Sequence, residues 1–538
     1  MNAPLGVPVR LCARAVGLGF CAVLMLASPH ARAIPPGDEP PADPWTLIER
    51  FPDGFAVVGV VDEPSRFLKS EEGRFLRVLA GSTGLLERTA RAWSGLASFY
   101  GADGDGVIDA FLSGRVALAI DWGGDHEIEG AASLARRADS RWVLVARVAP
   151  DAARVLTRRL EPVPRRIVEG VPIYSIEKGR FSLVVRAGDA DATLVMLAPR
   201  GAGAMLERVV RSFSREPGAP GAPIPERAAP SERLVSVRLN TGALGARGDD
   251  GSPAFVRVAL DASESALTLS AAAEMDAGIE RGRAPIGLLD APGEDAIGVI
   301  ASAGVLGLTR DDAGGFSVDL AVADPAPAPV RGLDRPEGVL LALWEDRERL
   351  TVGVLTRHEP GAIDAADADA WMRGLIASRG PDGSAPSFGG RFPGAVRTTR
   401  IPTPDPERGA DGAKGVWAPT GVSWRLVTSR HAGDLVIGLG DDPDATARRV
   451  ETLARAGSVA GDFGAGAEPG SVLVRGWVDP VALISALDAQ RAAPARMLAP
   501  KLGRLGILVT HDGRVVRGRL RLELEHDAGG ASVGSTGD

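Results

Sequence analysis

The stretch Ala56-Val-Val-Gly-Val-Val61 has the length and the β-branched composition of a buried strand, and a similar stretch, Ala296-Ile-Gly-Val-Ile300, follows in the second half of the chain. Four further pairs of segments recur in the same order, and all five offsets fall between 223 and 241 residues. The further pairs begin at Gly114 and Glu337, Gly170 and Gly394, Leu194 and Leu435, and Leu234 and Val472. Five pairs in unbroken order predict a tandem duplication.

The hydrophobic pattern between these landmarks contains both strands and helices. Val116–Ile120 is a short apolar run typical of a strand, and residues 266–272 and 517–524 alternate as strands with one wet face do. Two segments instead carry one apolar stripe at helical spacing. The stripes consist of Met205, Leu206, Val209, Val210 and Phe213, and of Ala368, Trp371, Met372, Leu375 and Ile376. The sequence therefore predicts an α+β fold of two tandem, related modules, each an antiparallel sheet with helices packed on one face.

Composition sets the expected boundaries. Residues 1–33 have the pattern of a secretory signal peptide, in which Arg10 and Arg14 precede a short apolar run and small residues precede a cleavage site after Ala33. We expect a Pro-rich linker at 34–44, a first module at 45–280, a second module at 285–526 with a long loop at 378–415, and a disordered tail at 527–538.

The signal peptide places the protein outside the cytoplasm, in the periplasm or the extracellular space. Its apolar run is shorter than the about 20 residues of a membrane-spanning helix, so we expect no transmembrane segment after cleavage, although retention of the signal as an anchor stays open. Both cysteines, Cys12 and Cys21, lie within it, which leaves the mature chain free of cysteine. A net charge of −8 without a basic run excludes nucleic acid as an expected partner.

Acidic residues follow several strands and precede proline. Asp442-Pro443 and Asp479-Pro480 are the clearest cases, with looser variants at residues 61–64 and 149–151. An aspartate at the N-cap accepts backbone N–H bonds, and proline at the first helical position loses no useful donor. We therefore interpret these carboxylates as helix caps and not as catalytic groups.

Two local patterns could carry catalysis. Asp121, Asp125 and His126 form an acid-and-histidine cluster that could bind a metal or act as an acid/base pair, although a polar loop after a buried strand explains it more simply. Ser175-Ile-Glu-Lys178 matches the Ser-x-x-Lys pattern of serine β-lactamases, which requires a helix. The surrounding residues here predict strand, turn and strand, so this match carries no catalytic expectation.

A third pattern resembles the middle of a calcium-binding EF-hand loop. Asp103, Asp105 and Asp109 fall at loop positions 3, 5 and 9, but positions 1 and 12 hold Gly101 and Leu112 in place of oxygen ligands. Either other parts of the chain complete a weak calcium site, or the segment is an Asp/Gly turn ahead of the next strand. We expect the turn, and we expect no metal or cofactor.

Three segments of the first half also resemble those of a loosely defined set of exported bacterial proteins of unknown function. The segments are Trp142-Val-Leu-Val-Ala-Arg-Val148, Gly170-Val-Pro-Ile-Tyr174 and Leu194-Val-Met-Leu197. The resemblance implies repeated strand-helix units, an α+β fold and export. It brings no catalytic residue.

These observations predict a non-catalytic envelope or secreted protein that binds or scaffolds a partner. A protein, a lipid and a polysaccharide all stay open as the ligand. The alternative is a hydrolase whose site is assembled from distant residues, because scattered catalytic groups leave no local trace in a sequence. The cluster of Asp121, Asp125 and His126 is where such a site is expected.

Overall fold

We describe the protein from a computed structural model. The structure describes residues 43–62, 97–104, 106–107, 111, 114–121, 141–158, 160, 163–187, 193–215, 223–227, 232–243, 254–263, 265–274, 284–303, 307–310, 316–319, 338–347, 349–358, 361–376, 396–400, 421–428, 433–459, 472–487, 502–512 and 514–524. The predicted signal peptide, most of the predicted linker, most of the 378–415 segment and the predicted tail lie outside these residues.

The chain divides into two compact units, the first ending at Asp276 and the second extending from Ala277. The labelled helices of the first unit are α1 (Pro44–Ile48), α2 (Pro150–Thr157) and α3 (Gly203–Phe213). Its strands are β1 (Val57–Val61), β2 (Val116–Ile120), β3 (Trp142–Val148), β4 (Arg166–Val168), β5 (Val171–Ile176), β6 (Phe181–Ala187), β7 (Thr193–Pro199), β8 (Glu232–Asn240), β9 (Phe255–Ser263) and β10 (Ala266–Glu274).

The strands of the first unit pair antiparallel in the order β4-β5-β6-β7-β3-β2-β1-β8-β9-β10. Strand β1 lies near the middle, where Gly59 is aligned with Leu118 of β2 and with Val237 of β8. Every residue of β1 and β2 is buried. The alternating faces of these strands are therefore both covered.

Two hydrophobic clusters cover the two faces of this sheet. One joins Val57 and Leu118 to Leu156 of α2 and to Phe111. The other joins Val58 and Val60, which alternate with Val57 along β1, to side chains of α1 and α3. Because successive residues of a strand point to opposite faces, helices pack on both sides of the sheet.

The labelled helices of the second unit are α4 (Ala365–Ile376), α5 (Pro443–Val459) and α6 (Pro480–Leu487). Its strands are β11 (Ala296–Ser302), β12 (Gly307–Arg310), β13 (Phe316–Asp319), β14 (Gly338–Asp346), β15 (Arg349–His358), β16 (Arg397–Arg400), β17 (Gly421–Thr428), β18 (Gly433–Gly440), β19 (Val472–Val478), β20 (Leu502–Asp512) and β21 (Val515–Leu524). Strand β16 lies inside the segment for which the sequence predicts a long loop.

Within the second unit the order of antiparallel pairing is β16-β17-β18-β15-β14-β11-β19-β20-β21, with β12 and β13 in a separate hairpin.

This order matches β5-β6-β7-β3-β2-β1-β8-β9-β10 of the first unit strand for strand. The register gives the equivalent positions. Gly298 is aligned with Leu343 and Val478, as Val57 is with Ile120 and Leu239. The equivalent of Val57 is thus one residue further along than the sequence match suggests.

Close packing of α5 on its sheet depends on glycines. A Cβ added at Gly353 of β15 would come within 2.7 Å of Leu453 of α5, and one at Gly438 of β18 would come within 2.7 Å of Val450. Contacts this short do not occur between real side chains, so these positions require glycine for α5 to lie where it does.

The predicted fold class, α+β in two related modules with helices on one face of each sheet, is wrong. Of the described residues, 52% are in strands and 26% are in helices, so the protein is mainly antiparallel sheet. The physical reason is that a run of alternating or small apolar residues does not show whether its second face meets water or another helix. The predicted module limits, 45–280 and 285–526, stay predictions.

The predicted helix caps are confirmed at two positions. Asp442 Oδ1 accepts the amides of Asp444 and Ala445 at 3.0 and 3.1 Å, and Asp479 Oδ1 accepts those of Val481 and Ala482 at 2.9 Å each. The looser variant at residues 149–151 is not a cap, because no side chain caps α2, whose N-cap residue is Ala149. Asp62 pairs with Arg115, and the residues that it was predicted to cap lie outside the described ones.

Candidate functional site

Asp121 follows β2 directly and joins three elements. Its carboxylate accepts hydrogen bonds from Arg141, next to the start of β3, at 2.9 Å and from Arg208 of α3 at 3.4 Å. The Arg208 guanidinium also lies over the ring of Phe55, 5.0 Å from its centroid. The arrangement ties α3 to the end of the β2–β3 pair. Both contacts have the geometry of ion pairs.

The other two members of the predicted cluster, Asp125 and His126, lie outside the described residues. The structure therefore neither joins them to Asp121 nor separates them from it. A catalytic or metal-binding role for the three residues stays a prediction.

The segment with the calcium-loop pattern is helical where the structure describes it. Residues 97–100 form a helical turn, and Asp103 ends the 3₁₀ turn Gly101–Asp103. Gly104 lies against the backbone of Ala97, so closely that a side chain there would collide with it. The segment predicted to form an Asp/Gly turn is described only in part, so that turn stays a prediction. Asp105 and Asp109 lie outside the described residues, and no group of three potential metal ligands occurs within them.

The Ser-x-x-Lys match lies where the sequence predicts, in strand and turn. Strand β5 contains Ser175, and the following residues Glu177, Lys178 and Gly179 have φ angles of 50°, 53° and 84°. The helical spacing that brings serine and lysine together in serine β-lactamases is absent at this position.

A buried charged cluster that the sequence did not reveal holds α1 on the sheet. Arg238 of β8 and Arg257 of β9 are aligned with each other, and each side chain is 3% exposed. Glu49 accepts from both, at 3.4 and 2.5 Å, and Arg238 also donates to the carbonyl of Phe51 at 3.0 Å. Burial lowers the pKa of Arg238, against the opposing effect of Glu49. The sequence signal that could have indicated this cluster is an arginine within an otherwise apolar strand pattern.

A second buried pair lies in the other unit. Arg357 of β15 and Asp434 of β18 form two parallel hydrogen bonds of 2.8 Å, and Arg357 also donates to the carbonyl of Gly457 in α5 at 3.0 Å. Bidentate geometry of this kind fixes orientation as well as charge. The pair links two neighbouring strands to the helix above them.

The large hydrophobic side chains that are exposed among the described residues lie close together in the sequence of the first unit. Val163 and Ile167 are 73% and 62% exposed, in and beside the short strand β4. Ile167 is aligned with Pro172 of β5, and Tyr174, two residues along β5, is partly exposed. Val168 points the other way and is buried in the cluster that contains α3. We call Val163, Ile167, Pro172 and Tyr174 the β4 patch.

Strand β4 is an edge strand. It pairs with β5 and with no other strand that the structure describes. The two residues that connect β4 to β5, Glu169 and Gly170, both have positive φ, at 48° and 79°. Two positive φ values in a two-residue connection are typical of a type I′ hairpin turn, which fixes the register of the pair.

Three arginines lie within β4 or shortly before it in the sequence. Arg158, Arg165 and Arg166 are exposed. Arg166 pairs with Glu207 of α3. Arg158 and Arg165 form no ion pair with any residue of the described ranges. Glu169, in the turn after β4, is also exposed, so residues 165–169 carry two arginines and one glutamate in a chain that is acidic as a whole.

No protein-family model matches the chain, and no curated protein is similar enough in sequence to count as a relative. Among solved structures, crystal form III of TP0453 has a TM-score of 0.21 and 13% identity, over 43% of this chain and 81% of that chain. Crystal form I of TP0453 also has a TM-score of 0.21, with 12% identity over 45% and 82%. Likeness at this TM-score supports no conclusion about fold or function.

Among the described residues, no helix is both long enough and apolar enough to span a membrane.

Proposed function

We propose that this chain is an exported, non-catalytic binding protein of the cell envelope or the extracellular space, and that the β4 patch is its binding surface. The exposure of Val163 and Ile167 carries the proposal. Isolated apolar residues on a surface need no explanation, but a group of them beside an unpaired strand edge is typical of an interaction site.

The pairing of buried charges supports a non-catalytic role. Arg238, Arg257, Asp261, Arg357 and Asp434 each pair with an opposite charge. Enzyme sites usually hold an acid or base whose charge is left poised for proton transfer. These five buried groups instead connect strands and helices.

Binding through the β4 patch can be tested with the mature protein immobilised and exposed to a detergent-solubilised envelope fraction. Val163→Ser combined with Ile167→Ser changes two exposed side chains and should leave the fold intact. We expect the wild type to retain envelope components that the double variant does not retain. The Arg514→Glu variant, changed at an exposed position in the other unit, should retain them as the wild type does. Equal retention by all three proteins would remove the patch from consideration.

The catalytic alternative has its own test. Chromogenic ester, phosphoester and glycoside substrates are incubated with the wild type, His126→Ala and Asp121→Asn. We expect no turnover that distinguishes the three proteins. Turnover by the wild type that disappears in His126→Ala would establish a hydrolase and overturn the proposal.

A further inference from the structure

We propose that β4 accepts an extended, acidic segment of a partner protein as an additional β-strand. This inference rests on the proposed binding function and names the class of partner. It is carried by three observations at one place: a strand edge, an apolar face beside it, and arginines without partners among the described residues.

The backbone of β4 is suited to pairing at Ile167. In an antiparallel hairpin with a two-residue turn, the residues next to the turn, here Val168 and Val171, bond to each other. The next aligned pair, Ile167 and Pro172, then has its backbone groups directed away from the partner strand. Proline at this place in β5 loses no hydrogen bond, which agrees with that assignment. The N–H and C=O of Ile167 are therefore directed to the open edge.

The exposed apolar side chains beside the edge determine where the added strand needs an apolar residue. Side chains on neighbouring strands that share a face lie about 5 Å apart. A residue placed beside Ile167 on an added strand would cover that side chain and approach Val163. The alternate residues of the added strand would face the opposite side, where Arg166 lies beside Glu207. Arg165 and Val163 share the face of Ile167, because alternate residues of a strand lie on the same face. The expected ligand therefore has an apolar residue opposite Ile167 and its next residue on that face opposite Arg165.

The charges make the ligand residue opposite Arg165 acidic. Arg158 and Arg165 form no ion pair within the described residues, and Arg166 is exposed although it contacts Glu207. Bringing carboxylates to this edge would pair these guanidiniums, whereas bringing lysines would place like charges together.

The same charges disfavour a second copy of this chain. The antiparallel register that covers Val163 of one copy with Ile167 of another is centred on Arg165. Two Arg165 guanidiniums would then lie opposite each other. Charged residues on an edge strand are a common device against such self-pairing.

The test uses fluorescent peptides and the full mature chain, with binding followed by anisotropy. One seven-residue peptide carries valine opposite Ile167 and glutamate two positions along, opposite Arg165, with threonine elsewhere. A second peptide has lysine in place of that glutamate, and a third is the glutamate peptide with alternate backbone amides methylated. We expect saturable binding of the glutamate peptide. We also expect a loss of about tenfold or more for the lysine and the methylated peptides, since one removes the charge pairing and the other the edge hydrogen bonds.

Variants locate the site. Arg165→Glu should weaken the glutamate peptide and strengthen the lysine peptide, each about tenfold. Ile167→Ser should weaken both. Arg514→Glu makes the same change in net charge in the other unit and should behave as the wild type.

Several results would overturn the inference. These are the absence of saturable binding, equal affinity for the glutamate and lysine peptides, and binding that Ile167→Ser leaves unchanged. Ile167-dependent binding to phosphatidylglycerol vesicles without peptide binding would replace the peptide by a membrane surface. A concentration-dependent dimer abolished by Ile167→Ser would replace it by a second copy. None of these results bears on the hydrolase assay or on retention from the envelope fraction, so those two experiments test the proposed function independently.

Discussion

The buried pair of Arg357 and Asp434 shows how single residues fix this structure. Removing charge from one partner leaves the other buried without compensation, which costs more than the intact pair contributes. We expect Asp434→Asn to lower the free energy of unfolding by about 3–5 kcal/mol. Chemical denaturation monitored by circular dichroism measures this change.

A matched exposed pair provides the control for that change. Arg349, whose side chain is 69% exposed, bonds to Asp441 at 2.5 Å. Asp441→Asn should cost less than about 1 kcal/mol, because water and salt screen the charges. Equal losses for Asp434→Asn and Asp441→Asn would show that burial does not govern the energetics of the inner pair.

The cap at Asp442 predicts a dependence on pH. Hydrogen bonds from the amides of Ala445 and Asp444 lower the pKa of the Asp442 carboxyl group. A carboxyl group with a lowered folded-state pKa stabilises above its unfolded value, about 3.9, and this contribution disappears as the pH falls through the folded-state pKa. Asp442→Ala should therefore lower the Tm at neutral pH and converge with the wild type in strong acid. Melts at about pH 7 and about pH 2.5 test this, and an unchanged difference would contradict it.

At the scale of elements, α1 is held by charge as well as by its apolar side chains. Its five residues are too few for a stable isolated helix, so its position depends on contacts. Glu49 follows it and is the common partner of Arg238 and Arg257. We expect Glu49→Gln to destabilise the protein by about 2–4 kcal/mol and to increase hydrogen exchange in residues 44–51.

Asp53 provides the comparison for that prediction. It also contacts Arg238, at 3.1 Å, but its side chain is 76% exposed. Asp53→Asn should change stability by less than about 1 kcal/mol. Equal losses of stability for Glu49→Gln and Asp53→Asn would show that the aligned arginines do not require a buried counter-charge.

The helical segment at residues 97–104 bears on the calcium pattern. An EF-hand loop must bend so that its first and twelfth residues meet one ion, and both ligands are missing here. We expect the Tm of the mature protein to be the same in millimolar calcium and in chelator. A rise in calcium that Asp105→Ala abolishes would show that other residues supply the missing oxygens.

Elements with one strong local signal could be predicted from the sequence. The stripe from Met205 to Phe213 is the buried face of α3, and the apolar run Val116–Ile120 is β2. The sequence could not predict which element packs on each face of a strand. That packing depends on helices that are distant in the sequence. The aligned arginines of β8 and β9 were missed for the same reason. Their partner, Glu49, lies 189 and 208 residues away.

At the scale of the whole molecule, charge balance makes the remaining prediction. The sequence has a pI of about 5.5, and removal of a signal with three arginines would lower it. Molecules near zero net charge lose their mutual repulsion. We expect the mature protein to be least soluble between about pH 4.5 and 5.5, measured by turbidity across a pH series. A minimum above pH 7 would contradict the acidic balance.

The shortness of β4 has a consequence for how the protein behaves at high concentration. Open strand edges are the points at which chains join into fibrils. An edge of three residues, ending in a tight turn and flanked by arginines, offers enough backbone for one visiting segment and too little to template a stack. The same short edge that is proposed to accept one segment would thus keep crowded copies of the chain from polymerising.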